Sequence, residues 1–587
     1  MKVKKIDEKE FNVPSIVETV FDKIYYTVRD RKAVNLEDIV KELNLKNDRA
    51  EEWAKILAKK GLIEVYYPVV GKAQLKILRE ENIQEEKAKA KNITERYVVI
   101  ADNVPALVTI DTQSGDLPMY EISIPKLGPG TNALLNHLID KLARNVEIKV
   151  DEIIDPKKIL RLKEKFFENA EREFRNILPN SDKTKLLSGI LLHKMYGLGD
   201  IDIILSDDWL EEIAVNNSSV PIAIYHKKFG WLQTTKRMVN EEEIYNLSSQ
   251  IGRKVGREIT SLNPIMDAHL LSGDRVAATL FPISSSGNTI TIRKFARIPW
   301  TVIHLISPEY RTLSKEIAAF LWQALQYELN IMVAGGTAAG KTSILNSICA
   351  LIPATQRIIS IEDTRELSLP KILHWNWIPM TTRKANPEGQ GEVSMLDLIV
   401  SSLRMRPDRI IVGEVRRRKE AETMFEAMHT GHSVYTTMHA DTVAQLKRRL
   451  LEPPIEIPKS EVEALQLLLV QYRDRRKNLR RTLELAEILR GGQDLQINYL
   501  YRWRPRIDVF EKVNESIRVV EDLNLHTGMT NREIKDDLEE KQVILQWMLD
   551  NNIKNVDQVG KVMRLYYKNP GLVAEAAKKN KKPSGVL

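Results

Sequence analysis

Residues 335 to 342 read GGTAAGKT, a glycine-rich run closed by a lysine and a threonine at the spacing of a phosphate-cradling loop. Gly335 and Gly340 allow a turn tight enough for the backbone N–H groups of Gly335, Gly336, Thr337, Ala338, Ala339, Gly340, Lys341, Thr342 and Ser343 to converge on an anion. The helix that follows adds its positive end. In such a loop Lys341 reaches the β and γ phosphates of a nucleoside triphosphate and Thr342 holds Mg²⁺. Three further segments bring carboxylates or imidazoles to the ends of apolar runs: RIISIED at 357 to 363, RIIVGE at 409 to 414, and TGHSVYTTMHA at 430 to 440 with His432 and His439 on either side. A lone carboxylate after a strand is ordinarily a helix cap or a salt-bridge partner. In a parallel α/β sheet, however, ligands bind at the carboxyl ends of the strands, so Glu362, Asp363, Glu414 and His439 are expected to meet beside the phosphate loop.

The elements that must position these groups are legible around them. Asn330 to Val333 (NIMV) is a strand-like run, and Lys341 to Leu351 (KTSILNSICAL) repeats apolar residues at helical spacing. At 587 residues the chain exceeds a single core and divides into modules. Residues 1–80 read as a winged-helix-like domain, with helical patterns around Val17 to Val28, Leu36 to Leu43 after an Asn35 cap, and Trp53 to Leu57, then two apolar runs about Gly71. Residues 81–185 are a charged linker and a small α/β-helical region, and 186–300 form a mixed α/β domain. Residues 301–510 are the phosphate-loop domain, and 511–587 are a helical extension whose last residues (KKNKKPSGVL) have a disordered composition. Charged residues make up 29% and apolar residues 43%, ordinary values for a globular protein, and no run approaches a membrane span. A single cysteine, Cys349, excludes disulfide frameworks and multi-cysteine zinc sites, and MKVKKIDEKEF lacks the apolar core of a secretory signal, so a cytoplasmic setting is expected. The net charge of +8 is compatible with an anionic membrane or nucleic acid and decides neither.

Together the motifs resemble the type II and type IV secretion ATPase superfamily, the motors of pilus assembly, protein secretion and archaeal filaments. GGTAAGKT looks like its Walker A, IEDTREL at 361 to 367 like its acidic box, LRMRPDRIIVGEVR at 403 to 416 like its Walker B with glycine in place of the usual aspartate, and TGHSVYTTMHA like its histidine box. NPIMDA at 263 to 268, GDRVAATL at 273 to 280 and TIRKF at 291 to 295 are similar to the family's N-terminal motor domain, and the resemblance covers about 190 to 510. The tail TNREIKDDLEEKQVILQWMLDNNI resembles the extension of archaeal members. EVRRRKEAE departs from the pattern, since many members carry glycine after the first arginine.

The resemblance implies an α/β fold: a RecA-like P-loop ATPase domain, a preceding mixed α/β (PAS-like) motor domain, and the winged-helix-like module. It implies ATP and Mg²⁺ as cofactors, with Lys341 neutralising phosphate charge, Thr342 holding the metal, and Glu414 ordering the metal and its waters. Glu362 is expected to position the attacking water, although either Glu362 or Glu414 could accept its proton. His439, and with it His432, would contact the γ phosphate, and Arg275 and Arg293 would reach a phosphate from another domain or subunit, unless they pair with carboxylates such as Asp274. RIPWTV at 297 to 302 is a hinge candidate. A homo-hexamer is implied, on the inner face of the cell membrane, with a polytopic platform protein, a pilin-like filament system and acidic phospholipid as partners. The competing expectation is a DNA-handling RecA-like ATPase. Yet the third helix segment of the winged-helix-like module (KNDRAEEWAKILAKKG) carries five positive and three negative residues, a weak footprint for nucleic acid. A GTPase is disfavoured because no NKxD element follows the loop.

Overall fold

The computed structural model describes residues 14–68, 72–80, 92–113, 117–143, 156–179, 181–196, 198–270, 273–295, 299–385, 389–477, 479–491 and 494–585. The chain forms two compact units, Met1–Lys294 and Phe295–Leu587. Most of the charged linker (81–91), the tip between the first two apolar runs (69–71) and part of the hinge candidate (296–298) lie outside the described residues.

The first unit begins with helices Val20–Arg31, Leu36–Glu42 and Asn47–Lys59 and a three-stranded antiparallel sheet in which Gln74–Ile77 lies between Ala33–Asn35 and Ile63–Tyr66. Thr19 and Asp22 form a capping box at the first helix. The apolar faces of these helices and strands bury Phe21, Ile24, Val28, Trp53, Leu57, Ile63 and Leu75 in one core. Asp22, fully buried, also accepts from Gly130 N (2.7 Å) and Thr131 N (3.1 Å), tying this module to the start of helix Pro129–Ala143.

A nine-stranded sheet fills the rest of the unit, in the order Ile265–His269, Arg275–Thr279, Thr289–Arg293, Leu210–Val215, Ala223–His226, Gly230–Thr234, Met119–Ser123, Val104–Asp111, Glu95–Ala101. Strands from the 81–185 and 186–300 stretches thus share one sheet. They join where Gly230–Thr234 runs parallel to Met119–Ser123, a long-range pairing that no local periodicity reveals.

The second unit is built on another nine-stranded sheet. Six strands are parallel, in the order Trp377–Thr381, Ile358–Glu362, Arg409–Val412, Ser433–Met438, Ile331–Gly335, Leu467–Asp474. Leu479–Leu489, Gln496–Arg504 and Val509–Lys512 then extend the sheet antiparallel. The central strands are buried along their whole length, as expected of parallel strands covered on both faces. One face carries the helix Lys341–Cys349 after the loop, Lys315–Gln326 and the C-terminal helices; the other carries Arg418–His429 and Val443–Leu451.

The C-terminal helices are part of this core rather than an appendage. Trp322 Nε1 donates to Tyr567 OH (2.9 Å), whose hydroxyl donates to Leu351 O (2.8 Å) at the end of the phosphate-loop helix segment. Lys371 N donates to Asp557 Oδ1 (2.8 Å). Trp547 Nε1 donates to Lys581 O (2.8 Å) and a helical turn spans Pro583–Gly585, while the last two residues of the lysine-rich stretch read as disordered lie outside the described residues.

Candidate active site

The phosphate loop leaves the buried strand Ile331–Gly335 at its carboxyl end. Gly335 has φ 153°, and a Cβ there would lie 2.5 Å from Gln471 O on the neighbouring strand, so only glycine fits. Gly340, at φ 94°, is the left-handed N-cap of helix Lys341–Cys349, whose first turn holds no acidic residue and whose cap makes no side-chain hydrogen bond. The amides of that turn therefore face the loop with their partial positive charge available to an anion. Thr342 is half-buried in the first turn and Ser343 is exposed beside it.

Lys341 Nζ donates to Gly335 O (3.1 Å) and Gly336 O (3.3 Å) and stands 3.0 Å from His439 Nδ1. His439 Nε2 is 3.0 Å from Glu414 Oε1. Arg416 donates from one side of its fork to Glu414 Oε2 (2.7 Å) and from the other to Asp363 Oδ2 (2.8 Å). Thr382 Oγ1 donates to Asp363 Oδ1 (3.2 Å). The result is a continuous polar chain, Lys341–His439–Glu414–Arg416–Asp363, laid across the carboxyl ends of four parallel strands. Burial, and after it the ammonium of Lys341, holds the His439 pKa below the usual range. A neutral ring fits Lys341, from which Nδ1 accepts, while Glu414 Oε1 stands close to Nε2 without meeting a hydrogen-bond donor among the described residues.

Glu362 ends its strand beneath this chain and is 2% exposed. Its Oε1 accepts from Glu366 N (2.8 Å) and Leu367 N (3.0 Å), while the buried Oε2 meets no hydrogen-bond donor among the described residues. Burial pushes its pKa up to about 7 against the opposing pull of those two amides. A Cβ at Gly413 would stand 3.4 Å from Glu362 Cα and Cγ, so an aspartate at this position would set a second carboxylate against Glu362. That contact gives the glycine of GE413–414 a physical reason.

Residues 254–471 match the family described as type II/IV secretion system protein. The Methanocaldococcus jannaschii protein MJ0900 is 35% identical over 387 residues, covering 64% of this chain and 69% of its own. MJ1287 of the same organism is 38% identical over 245 residues, 40% of this chain and 88% of its own. The type IV secretion system protein PtlH of Bordetella pertussis is 30% identical over 267 residues, 42% of this chain and 77% of its own. The chain belongs to the type II/IV secretion ATPase superfamily. It is an ATPase motor of the pilus or secretion class.

Seen as a site of that superfamily, the donor set fits a nucleotide, with main-chain amides and Lys341 for its phosphates. The structure brings Lys341, His439 and Glu414 together, while Glu362 ends the strand beside that of Glu414. His432 does not join them. It precedes strand Ser433–Met438, at the amino edge of the sheet and one strand length (roughly 20 Å) from His439, where Thr430 Oγ1 lies 3.1 Å from its Nδ1. Arg275 and Arg293 lie on the first unit, directly opposite each other on adjacent strands. Arg275 binds Asp267 in a bidentate pair (3.1 and 2.8 Å), and the adjacent Asp274 is buried. Arg293 faces Glu212 across the ladder. Arg416 was given no role by sequence reasoning, although its place two residues after Glu414, at the end of the same strand, was a signal for it.

Proposed function

We propose that this chain hydrolyses ATP to drive assembly of an archaeal type IV pilus-like filament. In this reading it works as a homo-hexamer on the inner face of the cell membrane and transmits force to a polytopic platform protein. The observation that carries the reading is the polar chain from Lys341 to Asp363. ATP entering the loop offers phosphate oxygens to Lys341, which then leaves the carbonyls of Gly335 and Gly336 and the His439 ring. That departure breaks the chain at one end, so the presence of nucleotide is felt at Glu414, Arg416 and Asp363. His439 is left beside the γ phosphate, and Glu362, whose Oε2 is open and whose pKa lies near neutrality, takes the proton of the attacking water. Thr342 and Glu414 would hold Mg²⁺, which when bound supplies charge neutralisation at the β and γ phosphates. Arg275 and Arg293, on the domain at 186–300, would lend positive charge to a phosphate held by a neighbouring subunit, as the resemblance implies.

We read the domain at 301–510 as RecA-like because Ser433–Met438 is inserted between the phosphate-loop strand and the Glu414 strand. We read 186–300 as PAS-like and the three helices and three strands of 1–80 as a winged helix. The last module is read as a protein-contact module rather than a DNA reader, since Lys55 pairs with Glu51 and Lys60 with Asp140, leaving little net charge for a phosphate backbone. The relatives from Methanocaldococcus jannaschii and the tail at 530–553 favour the archaeal filament within the class.

Cells carrying Lys341→Ala or Glu414→Ala are expected to lose surface filaments or secretion while accumulating the protein at normal levels; intact filaments and secretion would refute the assignment. Purified protein is expected to hydrolyse ATP faster with vesicles of acidic phospholipid than with DNA. Strong, salt-sensitive stimulation by DNA would favour a nucleic-acid translocase instead.

A further inference from the structure

The strand Leu467–Asp474 runs parallel to the phosphate-loop strand with Gln471 in register with Gly335, so its last residues pass the end of that strand and overhang the loop. The chain then turns back through Leu479–Leu489, with Arg480 directly opposite Arg473 and Thr482 opposite Gln471. The bond from Gln471 Nε2 to Thr482 Oγ1 (2.7 Å) fixes these four residues on one face of the hairpin, because alternate residues of a strand share a face. That face meets the loop. Arg480 Nε donates to Ala338 O (3.2 Å), and a Cβ on Gly340 would lie 3.5 Å from Arg480 Cδ. The next residue, Arg481, points the other way and is neutralised by a bidentate pair with Asp508 (2.7 and 2.9 Å). Asp474, the acidic residue of the turn, accepts from Arg476 N (2.9 Å) and Lys477 N (3.2 Å). Arg473 and Arg480 lie beyond the residues that match the family, which end at 471.

We propose that Arg480, assisted by Arg473, is a further nucleotide-binding element: the hairpin supplies a guanidinium to the terminal phosphates held in the GGTAAGKT loop. Arg480 keeps the loop's turn at Ala338 in place through the carbonyl and brings positive charge to the side of the loop away from Glu414. The phosphate tail is then held by Lys341 from within the loop and by the hairpin from its rim. The proposal rests on the reading of this loop as the nucleotide site.

The test is titration calorimetry of the full chain with Mg-ATP, Mg-ADP and AMP, using wild type, Arg480→Ala, Arg480→Lys, Arg475→Ala and Lys341→Ala, with thermal melts alongside. Arg480→Ala is expected to weaken ATP and ADP by about tenfold or more, to leave AMP unchanged, and to melt with the wild type. Arg480→Lys, which keeps the charge, should recover most of the loss, and Arg475→Ala at the turn should bind as wild type does. If Arg480→Ala is unstable, Arg480→Gln decides: ATP affinity lowered with AMP unchanged supports the proposal, and ATP affinity equal to wild type overturns it. ATP affinity unchanged in Arg480→Ala, with binding lost in Lys341→Ala, overturns this inference and leaves the site reading intact. Unchanged ATP affinity in Lys341→Ala overturns the site reading itself.

Discussion

Glu362 gives the account a quantitative handle through pH. Its carboxyl is buried at the end of its strand with one oxygen bonded to two amides and the other without a donor, and its pKa is pushed up to about 7. A base with that pKa is roughly one-tenth ionised at pH ~6 and about nine-tenths ionised at pH ~8. kcat should therefore rise about tenfold across that interval, with an acid limb centred near 7. Glu362→Gln keeps the acceptor oxygen for the amides of Glu366 and Leu367 but cannot take a proton. Its kcat should fall by roughly 10²–10⁴ and lose the limb. The linked stability has a definite sign. Because the folded-state pKa is raised, this group's contribution is fully present below the ordinary glutamate range and is lost as the pH rises through about 7. The full loss is about 3 kcal/mol. Steady-state phosphate release at saturating ATP, with thermal melts of both proteins across the same pH range, reads both effects. A limb that persists in Glu362→Gln, or a flat wild-type profile, would show that Glu362 is only a cap for the turn that follows it.

Other substitutions probe the frame of the site. Gly335→Ala forces a side chain into a left-handed backbone 2.5 Å from Gln471 O and should cost roughly 2–3 kcal/mol, visible as a lower Tm together with lost nucleotide binding. Arg416→Ala removes an exposed side chain, so its stability cost should stay below about 1 kcal/mol. kcat should nevertheless fall about tenfold or more with little change in KM, because Glu414 and Asp363 lose their common partner. Asp537→Asn leaves the fully buried Lys541 without its ion-pair partner and should cost about 3–5 kcal/mol, whereas replacing both, Lys541→Met with Asp537→Leu, should be close to neutral. Denaturant unfolding of the pair measures the difference.

Much of the site was legible in the sequence because it is local. Each apolar run predicts a strand, each strand of a parallel sheet points its carboxyl end the same way, and Glu362, Glu414 and His439 sit just at or past those ends. The same rule, applied strictly, places His432 at the wrong edge, since it precedes its strand. What the sequence did not reveal depends on pairing over distance. Arg480 meets the phosphate loop only because Gln471 pairs with Gly335, and Arg275 finds Asp267 across a ladder. The sheet joining Met119–Ser123 to Gly230–Thr234 and the docking of Trp547 on the tail are of the same kind. Amphipathic periodicity marks a helix as having a partner face without saying which surface it will cover.

The central claim is that one hydrolytic site is assembled from Lys341 in the loop and Glu414 across the sheet. It is tested most directly by measuring ATP binding and phosphate release in parallel for wild type, Lys341→Ala and Glu414→Gln. The expected result is hydrolysis by wild type, lost binding in Lys341→Ala, and in Glu414→Gln near-wild-type ATP binding with turnover reduced by about 10² or more. Wild-type turnover in Glu414→Gln, or undiminished binding in Lys341→Ala, would contradict it.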